Sequence, residues 1–256
     1  YVYLCYGRSP AAEQELRYSL ETLRAETDAR VALYTDRPQD FADLDVVRVE
    51  AGELLREAFA HPYRHRVKPR VLADALRRFG EACVLLDLDS FIRPGFSQAV
   101  VRALEQGAAM NQYVRRDPFP DFPAFETRLP HLGAYRLDRE KAVMLNSGLV
   151  AVRPEHRPLI EDAVALIDRL WEGGLRKHDI EQFAIAEALR LGGVRIALID
   201  DVFVHYCPRW ARRYMRRRLR RRRPGERIGF GPARLRWFKT YWRLRLAVRK
   251  ARRLLF

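Results

Sequence analysis

The stretch CVLLDLD at residues 83–89 decides the fold that the sequence predicts. Its first four residues are all apolar, a pattern typical of a short strand that is buried on both faces of a sheet. Two carboxylates, Asp87 and Asp89, follow that strand directly. Because ligands of open α/β sheets bind beyond the carboxyl ends of the strands, we expect this acidic pair to face a ligand site.

Short apolar or β-branched runs alternate with helical patterns along the rest of the chain, which predicts an α/β sheet with crossover helices. The predicted strands cover residues 1–6, 30–35, 46–49, 83–86, 108–114, 149–152, 194–198 and 202–206, and the predicted helices cover residues 11–25, 54–59, 67–79, 95–106, 155–171 and 179–191. Residues 117–140 contain four prolines, several aromatic residues and no clear period, so we predict a long irregular loop there. Its aromatic rings make that loop a candidate lid or acceptor-binding segment.

The composition sets limits on the class of protein. A chain of 256 residues with 48% hydrophobic content can form one sizeable core with a small appendage. Its three cysteines lie far apart, so neither a disulfide framework nor a zinc site is indicated and a reducing compartment is expected. The first residues lack the features of a signal peptide, and no stretch has the apolar length of a membrane span. We therefore expect a cytoplasmic protein.

The formal net charge of +15 is unevenly distributed along the chain. Residues 209–256 contain 20 Lys and Arg but a single acid, Glu226, whereas residues 1–208 contain 28 bases and 32 acids. The sequence therefore predicts a slightly acidic globular domain over residues 1–208 and a basic extension over residues 209–256. The extension, not the domain, is the part that would attract an anionic partner.

The tripeptide Asp-Leu-Asp occurs twice, at residues 43–45 and at residues 87–89. The first copy lies before its predicted strand and the second directly after one, so only the second is expected in the ligand site. Its hard oxygen ligands suit Mg²⁺ or Mn²⁺, which bind through one or two carboxylates together with substrate phosphates. The alternative is that these residues only cap the turn after the strand, and the residues alone leave both interpretations open.

The segment around Asp87 closely resembles the metal-binding signature of GT-A glycosyltransferases, especially the glycogenin/galactosyltransferase-like group. The resemblance covers roughly residues 1–208 in matching order. It includes YGR at 6–8, which resembles the family's nucleotide-base loop, and YTD at 34–36, which resembles its second uridine-contacting turn. It continues through HRVKP at 65–69, LNSGLV at 145–150, HDIEQ at 178–182 and VFVHY at 202–206. It implies a GT-A fold, an α/β class with a mixed sheet flanked by helices, followed here by a basic C-terminal helical extension.

The resemblance also implies roles for individual residues. The implied donor-binding residues are Tyr6, Gly7, Arg8, Asp36, Lys68, Arg70, Asp87, Leu88, Asp89, Asn146, Ser147 and Gly148. The implied metal ligands are Asp87, Asp89 and His205, and the implied catalytic residues are Asp179, Glu181 and Gln182. The implied cofactor is Mn²⁺ or Mg²⁺, and an imidazole ligand fits Mn²⁺ better. The glycogenin-like group implies retention of configuration, whereas an inverting enzyme would need a carboxylate as general base.

Several of these residues also have a purely structural interpretation. Lys68 is compatible with a solvated position at a helix start, and Asn146 with a simple turn before a strand. Asp179 is compatible with a helix N-cap that has Gln182 at the capping-box position. A lone His205 in an apolar strand is compatible with a hydrogen-bonded core residue.

The basic extension has an amphipathic pattern. Residues 235–256 place Trp, Tyr and Leu on one helical stripe and Arg and Lys away from it, which is typical of an interfacial membrane helix. The alternative is a helix packed on the domain with a solvated charged face. Binding to a nucleic-acid backbone ranks third, because residues 1–208 offer no nucleic-acid motif, and no nucleic-acid partner is expected.

Together these features predict a metal-dependent glycosyltransferase. It would move a sugar from a nucleotide-diphosphate donor, a UDP-sugar in this group, to a glycan or lipid-linked acceptor, as a peripheral protein at the inner face of the plasma membrane. A nucleotidylyltransferase would open with a glycine-rich basic loop, which residues 6–10 lack. A non-enzymatic alternative is a degenerate transferase domain that serves as an adaptor for an anionic polymer or nucleic acid through its basic tail.

Overall fold

The computed structural model describes residues 1–116, 118–223, 225–231, 235, 237, 238 and 240. The chain divides into two compact units, Tyr1–Cys207 and Pro208–Phe256. Strands and helices alternate through the first unit, and the second contains a basic helix. The predicted mixed α/β sheet flanked by helices is confirmed, and a basic helix follows it in the chain.

The bounds of most elements follow the apolar patterns of the sequence. The strands of the described residues are β1 (Val2–Leu4), β2 (Ala32–Thr35), β3 (Val47–Glu50), β4 (Cys83–Leu86), β5 (Ser90–Ile92), β6 (Ala108–Met110), β7 (Tyr113–Arg116), β8 (Glu126–Leu129), β9 (Gly133–Arg136), β10 (Val143–Leu145), β11 (Leu149–Val152), β12 (Ile196–Leu198) and β13 (Phe203–His205). The α-helices are α1 (Pro10–Arg24), α2 (Gly52–Ala60), α3 (Val67–Phe79), α4 (Phe96–Gln106), α5 (Arg157–Glu172), α6 (Ile180–Leu191) and α7 (Arg209–Arg220).

The central sheet of the described residues has seven strands in the order β12-β6-β11-β4-β1-β2-β3. Strand β1 pairs in parallel with β2 on one side and with β4 on the other. Strand β11 runs antiparallel to both β4 and β6, so the sheet is mixed. The parallel strands β1, β2 and β4 therefore end at the same edge of the sheet, and β11 begins there.

Side chains of the central strands alternate between two hydrophobic cores, as the two-residue period of a strand requires. Val2 and Leu85 belong to the core that includes residues of α2, α3, α5 and α6. Tyr3 and Leu86 belong to the core that includes residues of α1 and α4. Helices thus cover both faces, which explains why β4 is apolar at every position.

Three parts of the fold differ from the sequence prediction. The single strand predicted over residues 108–114 is two strands, because the chain leaves the central sheet after Met110 and β7 pairs instead with β10. The short strands β5 and β10 were not predicted. The region predicted to be irregular, residues 117–140, contains the antiparallel hairpin β8–β9. The turn of this hairpin is held by the buried carboxylate of Asp162, which accepts the backbone N–H groups of His131 and Leu132.

Most aromatic side chains of residues 117–140 are buried, whereas that of Phe125 is half-buried. Phe119 and Phe122 are buried. Phe119 contacts Phe183 of α6 edge to face, with ring centroids 5.2 Å apart. Burial in the core leaves the rings of Phe119 and Phe122 no face for a sugar, and the candidate lid or acceptor-binding role of the segment stays a prediction.

The C-terminal unit has its own aromatic cluster. The ring of Trp210 in α7 lies edge to face with Trp237, at 4.6 Å between centroids, and Tyr214 stacks on Phe230 at 5.7 Å. The amphipathic helix predicted over residues 235–256 lies almost entirely outside the described residues. No helix in the described part of the chain combines the length and the apolar character of a membrane span.

Candidate functional site

The topology brings the acidic pair and the Asn-Ser-Gly segment to one edge of the sheet. Leu149, the first residue of β11, pairs with Leu86, the last residue of β4. One step beyond that pair, the backbone N–H of Asp87 donates to the carbonyl oxygen of Gly148 at 2.8 Å. The backbone hydrogen bonds that join β4 to β11 therefore hold Asp87 beside residues 146–148. The sequence predicts this, because Asp87 directly follows its strand and residues 146–148 directly precede theirs.

The short strand β5 brings His205 to the same place. Strand β13 runs antiparallel to β5 and pairs His205 with Ser90, and the next backbone N–H, that of Tyr206, donates to the carbonyl oxygen of Asp89 at 2.9 Å. His205 consequently lies beside Asp89 even though more than a hundred residues separate the two in the sequence.

Asp87, Asp89 and His205 form a cluster with the geometry of a cation site. One potential ligand atom from each residue lies within 4.8 Å of the other two. His205 Nε2 lies 3.3 Å from Asp89 Oδ1 and 3.4 Å from Asp87 Oδ2. Two carboxylate oxygens and one imidazole nitrogen suit a divalent transition metal such as Mn²⁺. The three residues named as metal ligands from the sequence are thus brought together.

Asn146 orients the imidazole of His205. The oxygen Oδ1 of Asn146 accepts the backbone N–H of Gly148 at 3.0 Å and the side-chain amide of Asn111 at 3.0 Å, and it lies 2.8 Å from His205 Nδ1. Since this oxygen only accepts hydrogen bonds, Nδ1 carries the proton and Nε2 faces the two carboxylates. A second hydrogen bond of this kind fixes the tautomer of a metal-binding histidine. Asn111 was not predicted to take part, because it follows β6 without any motif around it.

Gly148 is required by the packing of His205. A Cβ atom at position 148 would lie 2.2 Å from His205 Nδ1 and 2.6 Å from Cγ of the same ring. No side chain fits there unless the imidazole moves. The glycine of the Asn-Ser-Gly segment therefore makes room for the histidine.

Lys68 brings a positive charge to the cation site. Its Nζ lies 2.7 Å from Asp87 Oδ1 and 3.8 Å from Glu181 Oε1, and its side chain is 17% exposed. Burial alone would lower the pKa of Lys68, but attraction to Asp87 and Glu181 outweighs it and raises the pKa. The ammonium group therefore stays charged, and the interpretation of Lys68 as a solvated helix residue is wrong.

Glu181 is a buried carboxylate with both oxygens engaged. Its Oε1 accepts from Ser147 Oγ at 2.8 Å and its Oε2 accepts from the Tyr63 hydroxyl at 2.7 Å. The Tyr63 oxygen in turn accepts the backbone N–H of Glu181 at 3.0 Å, and Glu181 is only 2% exposed. Glu181 thus connects Ser147 and Lys68 to the start of α6. Tyr63 was missed because the contact spans 118 residues and leaves no local pattern.

Asp179 and Gln182 lie at the same helix start. Gln182 Oε1 accepts from Asn146 Nδ2 at 3.3 Å, which connects α6 to the residues that orient His205. Asp179 occupies the N-cap position of α6, but its side chain makes no capping hydrogen bond. The capping-box interpretation of these two residues is therefore wrong, because such a motif needs the N-cap side chain to accept a backbone N–H of the first turn.

The two predicted base-contacting loops lie side by side. The backbone N–H of Gly7, which follows β1, donates to both carboxylate oxygens of Asp36, which follows β2, at 3.2 and 3.1 Å. Tyr6 is 40% exposed and its ring lies 5.0 Å from that of Phe59. Arg8 is exposed. The loops named from the sequence are therefore adjacent at the carboxyl edge of the sheet.

Two residues named as donor-binding are engaged elsewhere. Arg70 lies two residues after Lys68 on α3, so its side chain points in another direction. It forms an ion pair with Glu57 rather than with Asp87 or Asp89. The side chain of Leu88, between the two aspartates, packs against the hydrophobic core on the side of α1 and α4, so only its backbone is available at the site.

The other Asp-Leu-Asp copy has no part in the cluster. Asp43 forms an ion pair with Arg17. The carboxylate of Asp45 is exposed, and the guanidinium of Arg24 lies 3.6 Å from it. Both aspartates precede β3, and the amino ends of these parallel strands lie at the edge opposite to Asp87. The structure thus places this copy away from the site, as its position before a strand predicts.

No protein-family model matches this sequence, and no curated protein matches it. The solved structures that it resembles include several described as glycosyltransferases. A glycosyltransferase involved in the glycosylation of the major capsid of PBCV-1 is 14% identical, with a TM-score of 0.49, over 86% of this chain and 99% of that one. The galactosyltransferase LgtC in complex with donor and acceptor sugar analogs is 14% identical, with a TM-score of 0.48, over 77% and 72% of the two chains. Mouse xyloside xylosyltransferase 1 is 13% identical, with a TM-score of 0.47, over 77% and 83%.

We expect cation binding at this cluster to strengthen as the pH rises. Burial alone would lower the pKa of His205, but attraction to the Cys207 sulfur and the Asp89 carboxylate outweighs it and raises the pKa well above the usual value. The raised pKa favours the protonated imidazole when no cation is bound, and a metal must displace that proton. Mn²⁺ affinity, measured by titration between pH 6 and pH 9, should rise with pH and rise less steeply in a His205→Gln protein.

The same pKa shift predicts the opposite trend for the metal-free protein. A raised pKa in the folded state means that the imidazolium stabilises the fold fully below the unfolded pKa of about 6.5, and that this contribution is lost as the pH rises through the folded pKa. In EDTA, the melting temperature should therefore fall more between pH 6.5 and pH 9 for the wild type than for His205→Gln. Equal slopes for the two proteins would contradict the assignment.

Proposed function

We propose that this chain is a glycosyltransferase that binds a nucleotide-diphosphate sugar through a divalent cation on Asp87, Asp89 and His205. The observation that carries the proposal is the convergence of these three ligands with Lys68 at the carboxyl edge of the sheet. The loops that contain Gly7 and Asp36 lie at the same edge. These segments follow one another in the order that resembles GT-A glycosyltransferases. The donor set, two carboxylates and an imidazole, fits Mn²⁺, with Mg²⁺ as the alternative.

The chemistry of the site follows from where charge develops. Breaking a sugar–phosphate bond builds negative charge on the departing nucleoside diphosphate, and a bound cation stabilises that charge as it forms. Lys68 adds a second positive charge that Asp87 and Glu181 keep in a fixed position. Such a preorganised charge needs no rearrangement during the reaction.

The residues at the start of α6 are proposed to face the transferred sugar. The sugar acquires oxocarbenium character, so an acidic or amide group near its anomeric carbon is favourable. Gln182 and Asp179 are the candidates for this contact. Glu181 acts instead through Ser147 and Lys68, because both of its oxygens are already engaged. We propose a UDP-sugar donor and a retaining reaction, as the glycogenin-like resemblance implies.

The nucleotide proposal is tested by ligand-dependent stability. UDP, ADP, GDP and their sugars are added to the protein with and without Mn²⁺, and the melting temperature is recorded. A ligand that binds only the folded protein at a hundred times its Kd stabilises it by about 2.7 kcal/mol. UDP or a UDP-sugar should raise the melting temperature only when Mn²⁺ is present, and donor hydrolysis should follow. The adaptor alternative predicts donor binding without hydrolysis, and the absence of any nucleotide effect would refute the nucleotide site.

We further propose that residues 209–256 attach the enzyme to the inner face of the plasma membrane, near a lipid-linked or glycan acceptor. In this arrangement residues 1–208 are the catalytic domain. Arg213, Arg217 and Arg220 recur at spacings of four and three on α7 and are all exposed, so they form one basic face. Anionic lipid attracts a basic side chain near the surface by about 1 kcal/mol.

Vesicle flotation of the full chain tests this attachment. The protein should float with vesicles that contain phosphatidylserine and not with vesicles of phosphatidylcholine alone. Changing Arg213, Arg217 and Arg220 together to Glu should weaken binding by about a hundredfold or more, because three contributions of about 1 kcal/mol are lost. Equal flotation with the two kinds of vesicle would refute electrostatic attachment.

A further inference from the structure

We infer that Arg37 is a positioning residue that fixes the loop after β1 for the nucleoside end of the donor. The inference rests on the proposed function, because it assumes that a nucleoside diphosphate binds at this edge of the sheet. Arg37 is not part of any motif that the sequence singled out. Its role emerges from the contacts it makes to both loops that are proposed to contact the base.

Arg37 and its neighbour Asp36 bind the peptide groups on both sides of Gly7. The N–H of Gly7 donates to the Asp36 carboxylate at 3.1 Å, and the carbonyl oxygen of Gly7 accepts from Arg37 Nη2 at 2.5 Å. Gly7 itself has a φ of +64°, in the left-handed region that other residues rarely adopt. Two consecutive residues after β2 therefore fix the conformation of the glycine turn after β1.

The guanidinium of Arg37 connects three parts of this edge. Besides Gly7 it donates to Glu13, in the first turn of α1, at 2.8 Å, and it forms an ion pair with Asp40, in the turn after β2. It also lies over the ring of Phe41 at 5.7 Å. Its side chain is only 12% exposed. The loop after β1, the start of α1 and the loop after β2 are thus joined through one side chain.

The same contacts exclude a direct role for Arg37 in phosphate binding. Its charge is already balanced by Glu13 and Asp40, with Asp36 3.8 Å away. Lys68 contacts Asp87 of the cation cluster instead. Arg37 therefore acts on the ligand through the Gly7 loop.

Loss of the guanidinium should loosen the loop and leave the cation site intact. Without Arg37, the Gly7 carbonyl loses its partner, and the carboxylates of Glu13, Asp36 and Asp40 repel one another without compensation. The nucleoside of UDP would then meet a loop of altered shape. Inorganic pyrophosphate, which has no nucleoside, would depend only on the cation and Lys68.

The experiment compares UDP with inorganic pyrophosphate by isothermal titration in the presence of Mn²⁺. For Arg37→Ala we expect UDP to bind at least about tenfold more weakly, which is the factor that corresponds to the loss of one charge-assisted hydrogen bond. Pyrophosphate should bind to this variant as it binds to the wild type. Arg37→Lys retains the charge but cannot reach Gly7 and Glu13 at once, so it should show a smaller loss confined to UDP. Arg17→Ala is the matched control, since Arg17 also pairs with an aspartate, Asp43, but contacts neither loop.

Each outcome decides the inference. A loss confined to UDP supports it, and Arg37→Lys provides this readout if Arg37→Ala does not fold. Unchanged UDP binding, or an equal loss of UDP and pyrophosphate binding, would overturn the positioning role. A wild-type protein that binds pyrophosphate and UDP equally, or neither, would instead refute the nucleotide site on which the inference rests.

Discussion

An Asp89→Asn protein is expected to hydrolyse its nucleotide-sugar donor about a thousandfold more slowly than the wild type in the presence of Mn²⁺. The substitution keeps the size of the side chain but removes the charge that lies 3.3 Å from His205 Nε2. A metal ion contributes several kcal/mol to the stabilisation of transition-state charge, and each 1.36 kcal/mol corresponds to a factor of about ten in rate. The backbone bond from Tyr206 to the carbonyl oxygen of Asp89 is retained, so the fold should persist.

The sequence supplies a matched control for this experiment. Asp45→Asn makes the same change in the other Asp-Leu-Asp tripeptide, where the carboxylate is exposed. Its donor hydrolysis and Mn²⁺ affinity should equal those of the wild type within experimental error, measured as released UDP and by metal titration. Unchanged hydrolysis in Asp89→Asn, or equal losses in both variants, would refute the metal assignment.

A Gly148→Ala protein is expected to lose Mn²⁺ affinity although it alters no ligand. The added methyl group would lie 2.2 Å from His205 Nδ1, and the imidazole is buried and bonded to Asn146, so the ring must rotate away from the carboxylates. Loss of the group that orients a metal ligand typically weakens metal binding about 10–100-fold. Overpacking of this kind also destabilises a protein by about 1–3 kcal/mol.

Gly231→Ala is the control for Gly148→Ala, because a Cβ atom at position 231 meets no atom of the described residues within 4 Å. Both proteins are compared by urea unfolding in EDTA and by Mn²⁺ titration. The control should match the wild type in both measurements. Full Mn²⁺ affinity in Gly148→Ala would show that His205 is not a ligand. That result would not contradict the assignment of Asp87 and Asp89 as ligands.

The sequence predicted the features that local chemistry determines. Strand Cys83–Leu86 and helix Val67–Phe79 occur with the predicted bounds, because an unbroken apolar run and a clear helical period leave little ambiguity. The placement of Asp87 and Asp89 beside His205 was also predicted. That prediction needed only two things: the position of the two aspartates directly after a strand and of His205 within one, and the resemblance to GT-A glycosyltransferases.

The contacts that complete the site could not be predicted, because they join distant parts of the chain. Tyr63 binds Glu181 across 118 residues, and Asn111 binds Asn146 across 35 residues. Neither residue lies in a motif. The strand β5, which brings His205 to Asp89, has only three residues and is stabilised by its partner β13 rather than by its own pattern.

Two features of the structure could not be predicted, because sequence alone does not reveal the direction of a side chain. The aromatic residues of the segment 117–140 suggested a surface for carbohydrate, but Phe119 and Phe122 face the core. Arg70 lies two residues from Lys68, a spacing that places helical side chains on different faces. It therefore pairs with Glu57, while Lys68 reaches Asp87.

The central claim is that Asp87, Asp89 and His205 bind one divalent cation together with the donor diphosphate. Crystals of the full chain grown with MnCl₂ and UDP, measured at the manganese absorption edge, test it most directly. We predict one dominant anomalous peak enclosed by the two carboxylates and His205 Nε2, in contact with the diphosphate. A dominant peak elsewhere, or ordered UDP with no peak at this cluster, would contradict the claim.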